Sequence, residues 1–372
     1  MRIAVRADAS RRIGWGHLKR CLALAQALRE QGDEVCFVLR PSDVDVTALL
    51  AQAGFTALPM PRLDDRPDDD ADDAPPPHGE WLERRWDRDA ADTTCAVHAW
   101  QPQVVLVDHY GIDARWHCAL GAATGAAIAV IDDLADRPLA AELVIDHNPA
   151  ADHAAKYRAV LRYPARICGG PSYALLDAVY RTHPRCVIGE QVPSIGIFMG
   201  GTDPGNCSAF AYAACREHAA WAGPIEVATT SANPSLPALQ ALAAADALLT
   251  LAVDQPNLAD FHARHGLQIG AGGGALWERC CLGTPTLALI TAENQRLSVP
   301  LLAADGVVIG FDAIGQGADR CSALGTAIRQ LIDTPAERAA LHHRSLALVD
   351  GQGAARVAAA LASLRVLEGD LR

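Results

Sequence analysis

The strongest constraint on the fold of this chain is a repeated alternation between short apolar runs, rich in valine and isoleucine, and alanine- and leucine-rich stretches. Nearly continuous apolar strands separated by helices are typical of a parallel sheet covered on both faces. Two series of such runs are present, so the sequence predicts an α/β chain with two sheets. The predicted strands of the first series are Arg2–Ala7, Glu34–Leu39, Val104–Asp108, Ala127–Asp132 and Leu143–Asp146. Those of the second series are Ser194–Met199, Ile225–Thr229, Gly266–Ile269, Thr286–Ile290 and Val307–Gly310.

Residues 181–193 form a polar stretch between the two series. A chain of 372 residues is also long enough for two domains of ordinary size. We therefore expect a Rossmann-like N-terminal domain over residues 1–180 and a Rossmann-like C-terminal domain over residues 190–350. An amphipathic helix within residues 351–372 is expected to return and pack on the first domain.

Charge and hydropathy disfavour several classes of partner. The net charge of −12 argues against a general nucleic-acid or membrane-surface binder. No uncharged apolar run reaches the ~18 residues of a transmembrane helix. The N-terminal residues lack the long apolar segment of a secretory signal, so we expect a cytoplasmic protein.

Residues 64–80 hold eight acidic residues, one arginine and four prolines. One interpretation is a loop that binds a divalent metal ion, but such loops usually place glycines at turns and a carboxylate at a set distance. The alternative is a solvated insertion that cannot bury enough apolar area to become ordered. We favour the disordered insertion and predict no metal site.

Eleven cysteines are scattered along the chain, without a Cys-x-x-Cys pair or a zinc-like spacing with histidine. In a chain of this size without a signal peptide, we expect them to be reduced and to pack as small core residues. Cofactor chemistry through sulfur is therefore not expected.

Three glycine-containing loops follow predicted strands, where doubly wound sheets bind their ligands. The first runs from Arg6 to His17 and contains Gly14 and Gly16 just before the histidine. Glycines let the backbone approach a ligand closely, and the helix start favours both a negative charge and a neutral histidine that can accept a proton. His17 is therefore a candidate catalytic residue, although a single histidine is equally compatible with a structural role.

The second loop, Met199–Asn206, follows the first strand of the second series. Gly201 and Thr202 can offer a backbone amide and a hydroxyl to a phosphate or a sugar, and Thr230, directly after the next predicted strand, is assigned to the same site. The alternative is a tight turn in which an Asp or Asn side chain caps the next helix. Both interpretations stay open.

The third loop, Gly270–Cys281, places Gly272, Gly273 and Gly274 ahead of a helix, where successive backbone N–H groups can bind a diphosphate. Glu278, about one turn into that helix, can accept two hydrogen bonds from a ribose diol. The spacing differs from the Gly-x-Gly-x-x-Gly fingerprint, which disfavours a nicotinamide cofactor. The alternative is a flexible turn with a surface glutamate.

Two further strand ends carry polar residues. Asp108, His109 and Tyr110 suit ligand contact or proton handling, but a core histidine bonded to the backbone is the favoured interpretation of His109. Glu293–Gln295, after the strand Thr286–Ile290, offers amides that either bind sugar hydroxyls or cap a helix.

Taken together, five motifs resemble those of the nucleotide-sugar hydrolases of pseudaminic acid biosynthesis, in the same order over roughly residues 1–310. The resemblance implies a two-domain fold of the GT-B glycosyltransferase type, related to the lipid II-forming N-acetylglucosaminyltransferase, with the active site in the cleft between the domains. The motifs are R-A-D-A-S-x-x-I-G-x-G-H-x-x-R-C-L-A-L-A (6–25), D-H-Y-G-I (108–112), M-G-G-T-D (199–203), G-A-G-G-G-A-L-W-E-R-C-C-L-G-x-P (270–285) and A-E-N-Q (292–295).

The resemblance also implies a reaction. The family hydrolyses UDP-2,4-diacetamido-2,4,6-trideoxy-β-L-altropyranose to UDP and the free sugar, without a metal or an organic cofactor. The sugar then condenses with phosphoenolpyruvate to form pseudaminic acid, which is used on bacterial flagella and surface glycans. The implied partners are the UDP-sugar and UDP, with no nucleic acid and no membrane, and the chain is expected to act as a monomer.

Individual roles follow from the same resemblance. His17 stands at the essential histidine and is expected to activate a water molecule, Tyr110 stands at the tyrosine beside it, and Asp8 is grouped with them as catalytic and as a support of the first loop. The expected UDP-binding residues are Gly201, Thr202, Thr230, Gly272, Gly273, Gly274 and Glu278. The expected sugar-binding residues are Gly14, Gly16, Arg20, Asn294 and Gln295.

Two positions depart from the family pattern. The family often has Ser-Thr after the paired glycines, where this chain has Gly274-Ala275, so backbone groups must bind the diphosphate without hydroxyl donors. The segment Tyr173–Leu176 is often followed by arginine, but here by Asp177, which puts a basic substrate contact and the identity of the sugar in doubt. The acidic segment 64–80 has no counterpart in the pattern.

Two other functions remain as alternatives. The first is an inverting UDP-sugar glycosyltransferase of the GT-B fold. If it acted on a membrane lipid, it should show an exposed apolar or basic patch on its first domain, and the sequence contains no clear one. The second is a nucleotide-sugar-binding regulatory protein without turnover, which would have no need of a base such as His17 beside Tyr110.

Overall fold

The structure is a computed structural model that describes residues 1–10, 12–62 and 74–369, without the side chains of residues 365–369. The chain divides into two compact units. The first unit contains Met1–Asp177 and Gln352–Arg372, and the second contains Ala178–Gly351.

Within the described ranges, each unit contains one parallel sheet. The strands of the first are β1 Arg2–Ala7, β2 Glu34–Leu39, β3 Thr56–Pro59, β4 Val104–Asp108, β5 Ala127–Ile131, β6 Leu143–Asp146 and β7 Arg166–Gly169. Those of the second are β8 Ile195–Phe198, β9 Ile225–Thr229, β10 Leu249–Val253, β11 Leu267–Ala271, β12 Thr286–Ile290 and β13 Ile309–Asp312. The order is β3-β2-β1-β4-β5-β6-β7 in the first sheet and β10-β9-β8-β11-β12-β13 in the second. The predicted α/β class with two Rossmann-like domains is confirmed.

The helices connect these strands as expected for parallel sheets. In the described part of the chain they are α1 Gly16–Glu30, α2 Thr47–Gln52, α3 Trp86–Val97, α4 Ala114–Thr124, α5 His153–Arg158, α6 Ala178–Thr182, α7 Cys207–Ala213, α8 Leu236–Ala245, α9 Ala259–Arg264, α10 Ala275–Leu282, α11 Val299–Ala304, α12 Ala318–Asp333, α13 Pro335–Leu348 and α14 Gly353–Gly369. None of the helices in these ranges is long and apolar enough to cross a membrane.

The apolar face of α1 forms part of the core of the first unit together with α14. Leu18, Cys21 and Leu28 of α1 are fully buried, in the same apolar cluster as Val357 and Leu361 of α14. Complete burial of one leucine or valine side chain contributes roughly 1.5–3 kcal/mol. Helix α14 is therefore an integral part of this core.

Because all strands within a sheet are parallel, their carboxyl ends lie along one edge of that sheet. In the first unit β1 pairs with β4, β4 with β5, and β5 with β6. In the second unit β8 pairs with β11, and β11 pairs with β12. Residues that follow these neighbouring strands are therefore brought close together, and both edges carry candidate site residues.

The acidic segment 64–80, predicted to be a disordered insertion, is described only in part. Its residues 64–73 lie outside the described residues. Residues 74–78 lead into a 3-10 turn, Gly79–Trp81. Leu82, which follows the turn, is buried in the apolar cluster that also contains residues of β2 and β4.

Candidate functional site

The imidazole of His17 is held by a carboxylate from the neighbouring strand. His17 lies in the first turn of α1, and Asp108 is the final residue of β4, next to β1. The distance from Nδ1 of His17 to Oδ1 of Asp108 is 2.6 Å. An ionised carboxylate only accepts hydrogen bonds, so Nδ1 carries the proton and, in the neutral ring, Nε2 is free to accept one. This is the arrangement of a general base with its orienting partner.

Arg20 keeps Asp108 ionised. Its Nε donates to Oδ2 of Asp108 and its Nη2 donates to Oδ1, each at 2.6 Å. Burial alone would raise the pKa of Asp108, but the charge of Arg20 and the hydrogen bonds from Arg20 and His17 hold that pKa well below its ordinary value. Arg20, predicted to bind the sugar, therefore has its guanidinium engaged with Asp108 beneath the histidine.

Tyr110, two residues after the end of β4, lies beside His17. The two rings meet edge-on, with their centroids 4.9 Å apart. The Tyr110 hydroxyl donates to the carboxylate of Asp133, which also accepts from the Asn148 amide at 3.1 Å. Burial raises the pKa of Tyr110 well above its ordinary value, and the charge of Asp133 acts in the same direction. Tyr110 therefore remains a neutral hydrogen-bond donor.

Asp8, predicted to be catalytic, pairs with an arginine and a backbone N–H group. Its Oδ1 is 2.6 Å from Nη1 of Arg6 and accepts from the backbone N–H of Arg40 at 2.9 Å. Burial opposes ionisation of Asp8, but Arg6 keeps its pKa below the ordinary value. Among the contacts of the described residues, Asp8 supports the first loop and does not bond to His17. The carboxylate that does so is Asp108.

His109 is buried under the same edge. Its Nδ1 accepts from the backbone N–H of Gly111 at 3.1 Å, and its Nε2 lies 3.5 Å from Asp8. Burial lowers the pKa of His109 to about 4 even though Asp8 favours protonation. A neutral core histidine bonded to the backbone, the interpretation favoured from the sequence, fits this environment.

Sequence reasoning missed the polar residues after β5 and β6. Asp133 binds Tyr110, and Asn148 binds Asp133. His147 is buried in the same cluster, and its pKa is lowered to about 4, chiefly by burial and then by Arg20. The available signal was position, since Asp-Asp and Asp-His-Asn each come at the end of a predicted strand.

The glycines of the first loop lie around the start of α1. The backbone N–H of Gly14 donates to the carbonyl of Ser10 at 2.7 Å, which closes the turn, and Gly16 is the first residue of the helix. Both therefore lie just ahead of His17 in the chain, and their predicted contact with the sugar stays a prediction.

In the second unit, the glycine loop between β11 and α10 is partly engaged by the protein itself. The N–H of Gly272 donates to the carbonyl of Leu289 at 2.9 Å, so it is not directed at a ligand. A Cβ at Gly272 would lie 2.4 Å from Val299, so glycine is required there for packing. The N–H groups at the start of α10 that suit an anion are those of Gly273, Gly274 and Ala275.

Glu278 is held by a buried histidine. Nε2 of His262 lies 3.2 Å from Oε2 of Glu278, and Nδ1 of His262 lies 2.8 Å from Oε1 of Gln268. The Gln268 amide nitrogen donates to the carbonyl of Phe261 at 3.0 Å, which fixes the orientation of that amide and requires Nδ1 of His262 to donate. Nε2 of His262 therefore donates to Glu278 only in the protonated ring. Burial lowers the pKa of His262, and Glu278 opposes this shift. Glu278 is thus the partly exposed end of a buried chain of three side chains.

The loop after β8 is organised by Thr230 and Asp203. The Thr230 hydroxyl donates to the carbonyl of Gly201 at 2.8 Å. The Asp203 carboxylate accepts from the N–H groups of Cys207 and Ser208, each at 2.8 Å, and so caps α7. The capping interpretation accounts for Asp203, while Thr202 is partly exposed at the strand end.

Gln295 lies against the glycine loop, as its predicted role requires. Its Oε1 accepts from the backbone N–H of Thr291 at 2.8 Å, and its Nε2 is 3.8 Å from the position of a Cβ on Gly273. Asn294 is exposed on the same 3-10 turn, Glu293–Arg296. In the described residues, no three His, Cys, Asp or Glu side chains are arranged to hold a metal ion.

The chain matches no protein-family model. It is similar to UDP-2,4-diacetamido-2,4,6-trideoxy-beta-L-altropyranose hydrolase of Campylobacter jejuni, with 24% identity over 311 residues, which is 84% of this chain and 99% of that protein.

Solved structures resemble it over almost its whole length. MurG of Acinetobacter baumannii has a TM-score of 0.62 at 14% identity and covers 97% of this chain and 99% of its own. UGT2 of Phytolacca americana, complexed with UDP-2-fluoro-glucose and pterostilbene, scores 0.66 at 13% identity with the same coverage. MnaA of S. aureus with UDP scores 0.60 at 14% identity and covers 96% and 94%. The chain therefore has the two-domain GT-B fold that its motifs predicted.

Proposed function

We propose that this chain hydrolyses UDP-2,4-diacetamido-2,4,6-trideoxy-β-L-altropyranose to UDP and the free sugar by attack of water at the anomeric carbon. The similarity to the Campylobacter jejuni hydrolase supports this substrate and reaction. The GT-B fold and its neighbours with bound UDP or a UDP-sugar analogue support a UDP-sugar as the ligand. The hydrogen bond between His17 and Asp108 is the observation that carries the chemistry.

In this mechanism the free Nε2 of His17 accepts a proton from water as the water oxygen attacks the anomeric carbon. The bond from that carbon to the β-phosphate oxygen breaks, its electron pair stays with UDP, and the configuration is inverted. Asp108 holds the correct tautomer and stabilises the imidazolium that forms. General base catalysis of this kind typically contributes about 10²–10⁴-fold to the rate.

The second unit supplies the nucleotide-binding groups in this proposal. The N–H groups at the start of α10 stabilise the charge on the departing UDP, so no metal is required. Glu278 accepts from the ribose diol, while Gly201, Thr202 and Thr230 contact UDP, and Gln295 and Asn294 contact the phosphate or sugar. Gly14 and Gly16 lie against the sugar. Arg20 and Asp8 act as positioning residues, because their described contacts are with protein groups.

The test is turnover of the UDP-sugar in ¹⁸O-labelled water, with mass spectrometry of both products. Label in the free sugar and unlabelled UDP are expected, because the bond that forms is between water oxygen and carbon. Label in UDP would mean attack at phosphorus and would contradict the mechanism. Addition of EDTA should leave the rate unchanged; a loss of rate would contradict metal independence.

A His17→Asn variant provides the second arm. It should lower turnover by about 10²-fold or more while UDP affinity stays within about twofold, since it removes only the base. His98→Asn is the matched control, because His98 is an exposed histidine of the same unit. Full activity of His17→Asn would remove His17 from the mechanism.

An inverting UDP-sugar glycosyltransferase is the second candidate, favoured by the similarity to UGT2, whose complex holds both a UDP-sugar analogue and pterostilbene. A folded protein that binds UDP but fails to hydrolyse the UDP-sugar would favour this alternative.

In the hydrolase proposal, the protein acts in the cytoplasm. Its product serves pseudaminic acid biosynthesis, and through it the glycosylation of flagellin or surface polysaccharide. The expected monomeric state remains a prediction, to be checked by sedimentation.

A further inference from the structure

The described end of the acidic segment folds onto the His17–Tyr110 pair. His78 adopts a left-handed backbone conformation with φ of 60°, after which the 3-10 turn Gly79–Trp81 brings the chain back towards the buried Leu82. A Cβ on Gly111 would lie 2.7 Å from the carbonyl oxygen of His78, so glycine is required there for this close approach. The turn is therefore fitted to the loop that follows β4.

This turn places a tryptophan against the proposed catalytic residues. The ring centroid of Trp81 lies 5.6 Å from that of Tyr110, with a tilt of 37°, and 6.1 Å from that of His17, which it meets edge-on. His78 adds a third ring, 5.1 Å from Trp81 and 5.8 Å from Tyr110. Trp81 and His78 remain partly exposed, whereas His17 and Tyr110 are buried.

We infer that Trp81 forms an apolar subsite for the sugar and acts as a specificity-determining residue beside His17. The inference deepens the proposed function and rests on it. A partly exposed indole next to a base offers a broad apolar surface that loses little conformational freedom when a ligand covers it. The proposed sugar lacks a hydroxyl at carbon 6 and carries two acetamido methyl groups, so it has apolar groups that can cover such a surface.

The magnitude of this selectivity follows from the groups involved. One methyl group in an apolar site is typically worth about 10–200-fold in discrimination. A hydroxyl on carbon 6 would instead place a polar group against the indole. Trp81 therefore favours deoxygenated, N-acetylated sugars over more highly hydroxylated ones, and the proposed subsite contributes to binding of the sugar and not of UDP alone.

The test uses calorimetric binding in a His17→Gln background, so that the ligand is not consumed. Trp81→Ala should weaken binding of the intact UDP-diacetamido-sugar by about 10- to 100-fold and leave UDP affinity unchanged. Trp81→Phe should retain most of the affinity. Trp100→Ala is the matched control, because Trp100 is a partly exposed tryptophan of the same unit. It should change the affinity for neither ligand. Thermal melting checks that each variant is folded.

Two outcomes would overturn the inference: Trp81→Ala weakens the binding of neither ligand, or it weakens the binding of UDP and of the UDP-sugar equally. UDP-N-acetylglucosamine, which has a hydroxyl at carbon 6 and one acetamido group, tests specificity. If Trp81→Ala weakened its binding as much as that of the UDP-diacetamido-sugar, Trp81 would not discriminate between the two sugars. Hydrolysis by the wild-type protein is read separately, from the labelled-water experiment. A failure of the proposed function therefore remains distinguishable from a failure of the subsite.

Discussion

Nδ1 of His17 lies 2.6 Å from Oδ1 of Asp108, although 91 positions separate the two residues in the sequence. The pairing of β1 with β4 brings them together, because α1 begins after β1 and Asp108 is the last residue of β4. Arg20, one turn further along α1, binds the same carboxylate. His17, Asp108 and Arg20 therefore form one connected and largely buried group.

Replacement of Asp108 by asparagine should separate orientation from substrate binding. We expect Asp108→Asn to lower kcat by about 10²–10⁴-fold with little change in KM, because the amide no longer fixes the tautomer of His17. The free energy of unfolding should also fall by about 3–5 kcal/mol, since Arg20 is left without its counterion. Steady-state kinetics and chemical denaturation measure the two effects.

Asp113→Asn is the control for this experiment, because Asp113 is also a buried carboxylate paired with an arginine, Arg115, at 2.7 Å. It should leave kcat within about threefold. A kcat of Asp108→Asn close to that of this control would mean that His17 does not depend on Asp108.

His262 should control how tightly the ribose is held. A His262→Leu variant removes the ring whose Nε2 lies 3.2 Å from Glu278 and whose Nδ1 lies 2.8 Å from Gln268, so Glu278 loses the polar group that packs beside it. We expect UDP to bind about tenfold more weakly, and the preference for UDP over 2′-deoxy-UDP to decrease. Calorimetry with the two nucleotides measures both changes.

His183→Asn is suited as the control, because His183 also pairs with a carboxylate of the second unit, that of Asp260, but has no contact with Glu278 among the described residues. The prediction is wrong if His262→Leu retains the preference of the wild-type protein for the ribose hydroxyl.

Acid should destabilise the first unit through its buried histidines. Burial lowers the pKa of His109 and His147 to about 4 and that of His117 to about 3, from an ordinary value of 6.5. Between pH 6.5 and these lower values the unfolded chain binds more protons than the folded chain. The free energy of unfolding therefore decreases as pH falls through this window, by up to about 1.4 kcal/mol per pH unit for each histidine.

Urea denaturation at several values from pH 7.5 to pH 4.5 tests this prediction. His117→Gln should reduce the slope against pH, because His117 contributes one of the protonation steps, while the glutamine oxygen can still accept from the N–H of Ala140. Equal slopes for the variant and the wild-type protein would be inconsistent with a buried neutral His117.

Thiol reactivity should divide the eleven cysteines into two groups. Cys95 and Cys118 are exposed, whereas the other nine are buried. Burial also raises the pKa of Cys215 and Cys280 to about 12, so their thiolate forms are scarce at neutral pH. A thiol reagent at pH 8 should modify two cysteines rapidly in the folded protein and all eleven after denaturation. A Cys95→Ser, Cys118→Ser double variant should lack the rapid phase, and its persistence would show that other thiols are accessible.

The sequence pattern predicted the central strands well and the edge strands poorly. The strands that it missed, β3, β7 and β10, each lie at an edge of a sheet. An edge strand has one neighbour and is less completely covered, as in Thr56–Pro59, where two residues are exposed and two are half-buried, so its apolar run is weaker. At the remaining edge, β13 begins two residues later than predicted.

The sequence predicted where the candidate site residues lie along the chain but not which side chains are their hydrogen-bond partners. Glycines and polar residues after apolar runs pointed to His17, Tyr110, Glu278 and Gln295, and their functional roles stay predictions. The partners of these residues depend on which strands are neighbours, and the apolar pattern does not specify strand order. For the same reason the sequence did not show that the carboxylate bonded to His17 belongs to Asp108, while Asp8 pairs with Arg6 and its predicted catalytic role stays a prediction.

Helix α14 has a consequence for the order in which the chain can fold during synthesis. Its buried residues complete a core that otherwise consists of residues from Ile3 to Leu175. All of the second unit, Ala178–Gly351, leaves the ribosome before this helix does. The second unit can therefore reach its folded state while the first still exposes the apolar face of α1. The newly made chain passes through a stage in which its earlier half is the unfinished one, and chaperones that bind exposed apolar helices would act on that half.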